Sequence, residues 1–223
     1  MRILITAGGT REYIDPVRFI SNASSGRMGY ALARAALKAG HKVTLITAPT
    51  SRRIPDGVQA VKIETAAQMF EAVKKHFVKC DCLIMAAAVA DYTPVKKSKV
   101  KIKKINSDLI VKLKPTVDIL SWAGKHKKGK RKKHALSKAE GVKGKRKIIV
   151  GFALEDKNLR RNADKKLKEK NLDMIVANAP EAVGSEKSAV HIKISDGPWQ
   201  EYAAARKAVT ARRIMKLIET FNL

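Results

Sequence analysis

Apolar residues run unbroken through Ile3-Leu4-Ile5, the pattern of a strand buried on both faces, and residues 2–7 are read as that strand. From residue 26 the period changes. Met28, Ala31, Leu32, Ala35 and Ala36 recur at helical spacing and Gly40 supplies a stop, so 26–39 is predicted to be a helix. Strands follow at 43–47 and, shorter, at 58–63. Thr65 and Gln68 form a capping-box pattern that opens a helix to about 78, with Met69, Val73 and Phe77 turned inward. Residues 82–88 form a strongly apolar strand. This β-α-β-β-α-β order predicts an α/β fold, Rossmann-like and three-layered, with a mainly parallel central sheet covered by helices on both faces.

Residues 89–114 break the pattern. They are lysine-rich, with short alternating segments at 100–105 and 109–113, and are read as a strand excursion, either a flap or a dimer arm. Thr116 is expected to cap a helix carrying Ile119, Leu120 and Trp122. A buried strand returns at 148–153, followed by a polar helix at 158–170 and a further buried strand at 174–177. Residues 189–195 and 199–203 read as a hairpin turning at Asp196-Gly197-Pro198, and 209–221 as a closing amphipathic helix. Ligands of such sheets sit beyond the carboxyl ends of the strands. The loops after Ile5, Ala88, Ala153 and Ala177 should therefore share one site.

Length and charge alter this picture in one region. A chain of 223 residues is read as one domain, 1–223, with a basic, flexible insertion at about 124–147. The net charge of +27 points to polyanionic partners, and much of it lies in 125–147. Like-charge blocks of that kind self-repel. They read either as a solvated insertion or as an RNA- or membrane-touching loop, and no aromatic residue is interleaved there for base stacking. Cys80 and Cys82 are too close for a zinc motif and read as reduced core residues. No signal sequence or long apolar run is seen, so a cytoplasmic chain with no membrane contact is expected.

The loop between the first strand and first helix carries the densest chemistry. Gly8, Gly9 and Gly26 permit close backbone approach, Ser24 and Ser25 are expected to cap the helix, and Arg11, Arg18 and Arg27 add positive charge. A phosphorylated ligand suits that set. Neither G-x-G-x-x-G nor G-x-x-x-x-G-K-[ST] is present, so a standard dinucleotide fold and a P-loop enzyme are not first choices. Asp91 follows an apolar strand and is placed to accept from an exocyclic base amine, or simply to make a turn. Lys101 and Lys103 share a side of an extended segment and suit a triphosphate, or face solvent. Lys166 and Lys170 share a helix face. Tyr92 and Lys96 match the Y-x-x-x-K pair of short-chain dehydrogenases, but that pair needs a helix and Pro94 lies inside it.

Several motifs together resemble one family. They are Thr6-Ala7-Gly8-Gly9-Thr10-Arg11-Glu12, Ile14-Asp15-Pro16-Val17-Arg18-Phe19-Ile20-Ser21-Asn22, Ser24-Ser25-Gly26-Arg27-Met28-Gly29, Ala86-Ala87-Ala88-Val89-Ala90-Asp91-Tyr92, Lys101-Ile102-Lys103-Lys104, Gly151-Phe152-Ala153-Leu154-Glu155 and Asn171-Leu172-Asp173-Met174-Ile175-Val176-Ala177-Asn178. The set is similar to phosphopantothenoylcysteine synthetase, the ligase of coenzyme A biosynthesis, over nearly the whole chain except the basic insertion.

The resemblance implies a reaction. The carboxylate of 4′-phosphopantothenate attacks the α-phosphate of CTP, an acyl-cytidylate forms, and pyrophosphate leaves. Cysteine then attacks the acyl carbonyl and releases CMP. Magnesium accompanies the triphosphate; ATP in place of CTP stays open. The resemblance also implies roles. Asn22 handles the intermediate, Arg18 lies near the substrate carboxylate, and Ala88 contacts substrate. Lys101 contacts the triphosphate. Gly8, Gly9, Thr10, Ser24, Ser25, Gly26, Met28, Ala86 and Ala87 surround the nucleotide, and Asp91 and Phe152 meet its base. Lys166, Lys170 and the turn Thr116-Val117-Asp118-Ile119 complete that set, with Val117 standing where the family has proline. No metal ligands are assigned. The resemblance further implies a homodimer whose excursion helps cover the site. Many relatives are fused to a flavin-dependent decarboxylase. This chain starts at the synthetase motif, so no flavin and a separate phosphopantothenoylcysteine decarboxylase are expected. Two other classes compete: a nucleic-acid-binding protein on a nucleotide-binding scaffold, and a nicotinamide-dependent reductase, which needs a glycine fingerprint absent here.

Overall fold

A computed structural model describes residues 1–104, 106–127 and 146–221. The first half contains strands β1 (Arg2–Ala7), β2 (Arg11–Tyr13) and β3 (Phe19–Ser21), helix α1 (Arg27–Lys38), strands β4 (Lys42–Thr47) and β5 (Gln59–Lys62), helix α2 (Ala66–Phe77), and strands β6 (Cys82–Met85), β7 (Tyr92–Pro94) and β8 (Leu113–Pro115). Helix α3 (Ile119–Lys125), strand β9 (Ile148–Leu154), helix α4 (Leu159–Glu169), strands β10 (Met174–Asn178), β11 (Lys187–Ile194) and β12 (Trp199–Arg206), and helix α5 (Lys207–Glu219) follow.

Among the described residues, eight strands form one sheet in the order β12-β11-β10-β9-β6-β1-β4-β5. The six strands β10, β9, β6, β1, β4 and β5 pair in parallel, while β11 and β12 add an antiparallel hairpin at one edge. Alternation along each strand divides the core between two faces. Ile3, Ile5, Val43, Ile84 and Val176 pack under α1 and α5. Leu4, Ile46, Leu83, Ile149 and Ile175 pack under α2, α3 and α4. The Rossmann-like three-layer expectation is met, and the strand order reverses between β1 and β6. A crevice therefore opens beyond their carboxyl ends.

The Thr65 capping box is present, with Thr65 accepting from the Gln68 N–H at 3.2 Å and the Gln68 side chain returning to the Thr65 N–H at 3.2 Å. Cys80 and Cys82 are free and buried, and burial pushes both thiols up, Cys80 to about 11. Three local expectations are corrected. Gly26, not Ser24 or Ser25, caps α1; it sits at φ 71°, where a side chain would be strained, and no side chain caps the helix. Asp118, not Thr116, caps α3, accepting from the Ser121 N–H at 2.8 Å, because the Thr116 hydroxyl donates to the Ala90 carbonyl at 2.7 Å. The excursion pairs β7 with β8, Tyr92 opposite Pro115, rather than forming strands at 100–105 and 109–113. Residues 101–104 and 109–112 carry no regular structure, and Ile105 lies outside the described residues. Most of the basic insertion, 128–145, lies outside them too.

Both described ends of that insertion meet at Asp173. Its buried carboxylate takes Lys127 at 2.6 Å and Arg146 at 2.8 Å, and accepts the Ile149 N–H at 2.8 Å. Lys127 is itself only 3% exposed, so the pair is a buried one. The Lys147 N–H reaches the Lys127 carbonyl at 3.4 Å, which brings the two flanks together.

Candidate active site

A cleft of about 650 Å³ lies at the carboxyl ends of β1, β6, β9 and β10. One wall is the loop 22–28 leading into α1. The floor is Met85 to Asp91, and the opposite wall is Thr116 to Leu120 with Phe152 to Glu155. Lys166 and Lys170 reach in from α4, Asn178 lies beside Glu155, and Gly184, Ser185 and Lys207 line the end next to Arg27.

Buried threonines hold these loops in register. The Thr6 hydroxyl accepts the Ala87 N–H at 3.1 Å and the Thr10 hydroxyl accepts the Ala90 N–H at 2.9 Å. Thr10 also donates its N–H to the Ala88 carbonyl at 3.2 Å, while Gly9 forms a parallel bridge with Ala88. A Cβ on Gly9 would lie 2.6 Å from the Asn22 carbonyl oxygen, so only glycine lets the two loops approach. The exposed Asn22 amide donates to the carbonyls of Val89 at 3.1 Å and Ala88 at 3.4 Å. Asn22 thus bridges the helix loop and the β6 loop.

The residues under α4 form a connected set. Lys166 donates to the Phe152 carbonyl at 2.8 Å, and Lys170 pairs with Asp118 at 2.9 Å. Burial first, then the Lys170 charge, holds Lys166 below its ordinary value. Burial alone would raise Asp118, but the Lys170 ammonium, the Ser121 N–H and the Lys166 charge bring it below the usual carboxylate range.

The cleft brings together Asn22, Ser24, Ser25, Gly26, Met28, Ala86, Ala87, Ala88, Asp91, Thr116, Val117, Asp118, Ile119, Phe152, Lys166 and Lys170. Gly8, Gly9 and Thr10 are buried beneath it rather than lining it. Arg18 and Lys101 do not line the cleft of their own chain. Arg18 instead grips the buried Asp15, with Nε at 2.9 Å and Nη2 at 2.5 Å, and donates Nη2 to the Ile102 carbonyl at 2.8 Å. Asp15 also accepts the N–H groups of Val17 at 2.8 Å, Arg18 at 2.8 Å and Ile102 at 3.2 Å. This network ties the Lys101–Lys103 segment to the 15–18 turn. The residues 182–185 and Lys207 were not foreseen as part of the site. The sequence signal for the register contacts is a threonine in or just after the first apolar strand, as at Thr6 and Thr10.

The Arg18 guanidinium holds the Asp15 carboxyl far below the usual range, reinforced by the backbone donors. A carboxyl lowered on folding stabilises above its unfolded pKa, about 4, and loses that contribution as pH falls toward its folded value. Asp15→Asn should therefore lower the thermal midpoint at pH 7, and the gap to wild type should close as pH drops below about 4. Melting curves from pH 8 to pH 2 check this; a gap that stays constant would remove the ionised carboxylate from the account.

Among the described residues, no three His, Cys, Asp or Glu gather to hold a metal ion, and no helix is long and apolar enough to cross a membrane.

The family model for the C-terminal domain of DNA/pantothenate metabolism flavoproteins matches residues 1–221. The chain is 40% identical over 220 residues to the coenzyme A biosynthesis bifunctional protein CoaBC of Borreliella burgdorferi, covering 97% of this chain and 52% of that protein. It is 40% identical over 225 residues to the CoaBC protein of Bacillus subtilis, covering 99% of this chain and 51% of that one. The chain thus spans about half the length of the curated relatives it matches. A crystal structure of the C-terminal domain of a CoaBC protein aligns with TM-score 0.78 at 39% identity, covering 98% of this chain and 93% of that one. The DNA/pantothenate metabolism flavoprotein from Streptococcus pneumoniae aligns with TM-score 0.81 at 23% identity, covering all of both chains, which speaks to the fold alone.

Proposed function

Because the chain belongs to the family of DNA/pantothenate metabolism flavoprotein C-terminal domains, we propose that it is the ligase that joins cysteine to 4′-phosphopantothenate in coenzyme A biosynthesis. The observation that supports this most is the cleft itself. It gathers residues from five separated stretches, around 22–28, 86–91, 116–119, 152–155 and 166–170, which the reaction needs in one place.

In this reading a carboxylate oxygen of 4′-phosphopantothenate attacks the α-phosphorus of CTP. The bond to the bridging oxygen breaks and pyrophosphate departs. The cysteine amine next attacks the acyl carbonyl, CMP leaves, and the amine loses a proton. Asp91 and Phe152 meet the base, and Lys166 and Lys170 contact the nucleotide. Asn22 holds the acyl oxygen. Its amide carries two hydrogens; the 3.1 Å bond to Val89 occupies one, and a substrate oxygen replaces the longer 3.4 Å contact to Ala88. An N–H fixed before the reaction stabilises charge developing on that oxygen without reorganising.

Magnesium bound to the triphosphate would offset its negative charge; of the cleft's own carboxylates, Asp91 and Glu155 would be the ones to face it, since Asp118 is already paired to Lys170. Val95, Val100, Leu109, Ile110 and Leu113 leave the excursion apolar and exposed, and a second copy of the chain is its proposed cover. The homodimer would also bring Arg18 and Lys101, which lie outside their own cleft, toward a neighbouring one. A cytoplasmic site of action is part of the same reading. The product next requires a decarboxylase, on this protein or another. The nucleic-acid alternative rested on the charge of 125–147 and gains no support from the relatives.

Purified protein with 4′-phosphopantothenate, cysteine, magnesium and CTP should release pyrophosphate only when the pantothenate is present, together with CMP and a cysteine adduct. A parallel run with ATP reads the nucleotide preference. A folded protein that releases none with either nucleotide overturns the reading.

A further inference from the structure

The cleft is electrically divided. Its three carboxylates, Asp91, Asp118 and Glu155, all act on Lys166, so the end under α4 is of mixed charge. The other end is different. Arg27, in the first turn of α1, and Lys207, in the first turn of α5, both line it and are half-buried. Among the described residues neither has a carboxylate partner within ion-pair distance. Burial and then the nearby Arg27 charge lower Lys207, and no acid offsets them.

Both cations are already oriented by the same short segment. Arg27 Nη1 donates to the Gly184 carbonyl at 2.8 Å. Lys207 Nζ donates to the Ser188 hydroxyl at 2.7 Å and the Ala182 carbonyl at 3.3 Å. An ammonium has three N–H donors and a guanidinium five, so each retains donors after these contacts. Two like charges held together facing a cleft are unfavourable unless an anion sits between them. The N-terminal ends of two helices add to the positive potential there.

We propose that Arg27 and Lys207 form a subsite for a phosphate dianion on a bound substrate, at the end of the cleft away from Asp118, Lys166 and Lys170. This rests on the ligase reading, which supplies two sources for such a group: the phosphomonoester of 4′-phosphopantothenate and the tail of the nucleoside triphosphate. The segment 182–185 is then a strap that both cations pin against the ligand.

The test compares wild type with Arg27→Met, Lys207→Met and Lys207→Arg. Equilibrium binding of 4′-phosphopantothenate, dephosphorylated pantothenate and CTP is measured by calorimetry, alongside KM for each substrate in pyrophosphate release. A charge-assisted hydrogen bond carries about 1.5–3 kcal/mol, so each Met variant should weaken one ligand about 10- to 100-fold. Loss confined to 4′-phosphopantothenate, with dephosphorylated pantothenate unaffected, assigns the phosphomonoester; loss confined to CTP assigns the triphosphate. Lys207→Arg keeps the charge and should restore most of the affinity, which separates charge from mere support of Ala182 and Ser188. Met variants that fold and bind all three ligands like wild type overturn the subsite. An inactive wild type sinks the ligase reading instead, and the binding arm still decides the subsite.

Discussion

Asn22→Ala is expected to slow ligation about 100- to 1,000-fold, the usual loss when one donor to a developing oxyanion is removed. The geometry says why the loss should fall on kcat. Asn22 is exposed to the cleft and gives its amide to two loop carbonyls, so removing it leaves no buried group stranded and little folding energy is at stake. Nucleotide contacts are made elsewhere, by Asp91, Phe152, Lys166 and Lys170 in the proposed mode. KM for CTP should therefore move less than about threefold, because the lost interaction is specific to the transition state. Asn22→Asp is the sharper control. It keeps the shape and replaces the donor by an anion, and it should be at least as slow. Steady-state rates with a trap for the acyl-nucleotide check both variants. An Asn22→Asp enzyme with an unchanged overall rate would remove Asn22 from the chemistry.

Asp173→Ala should cost the fold about 3–5 kcal/mol, the range for removing one partner of a buried ion pair. Among the described residues, Lys127 would remain almost fully buried with the Asn171 carbonyl, at 3.3 Å, as its remaining acceptor. The Ile149 N–H in β9 would lose its side-chain acceptor as well. Arg146, whose side chain is 69% exposed, can return to water and should matter little. Urea unfolding of Asp173→Ala, Lys127→Met and the double variant measures the coupling. The double variant should recover part of the loss, because the stranded ammonium is gone. If Asp173→Ala unfolds at the wild-type midpoint, the buried pair is not what closes the base of the insertion.

The sheet was legible because its signals are local. Ile3-Leu4-Ile5, the apolar run from Cys82 and Met174-Ile175-Val176 each mark a strand by composition alone, and Thr65 with Gln68 carries its cap within four residues. The failures share a cause. Ser24 and Ser25 look like caps, yet the chain needs the left-handed conformation at Gly26 to enter α1, and a serine hydroxyl cannot supply that. Thr116 looks like a cap until Ala90, distant in sequence, takes its hydroxyl. The alternating segment 100–105 reads as a strand, but strand pairing is settled by the partner, and Tyr92–Pro94 finds Leu113–Pro115. In the candidate site, motif-bearing residues could be gathered from the sequence. Lys207 could not: it is one of 47 Lys and Arg residues, and only folding sets it beside Arg27.

The clasp on Asp173 also makes the base of the insertion a natural splice point. Lys127 and Lys147 are already joined by a backbone hydrogen bond, and the charges flanking them are anchored to the core on their own account. Lengthening a closed loop raises its entropic cost only slowly, about 0.6 kcal/mol per doubling. A foreign domain with adjacent termini, grafted between Lys127 and Arg146, would thus hang from a stem that the sheet itself secures, at the amino end of β9 and so opposite the cleft at the strands' carboxyl ends.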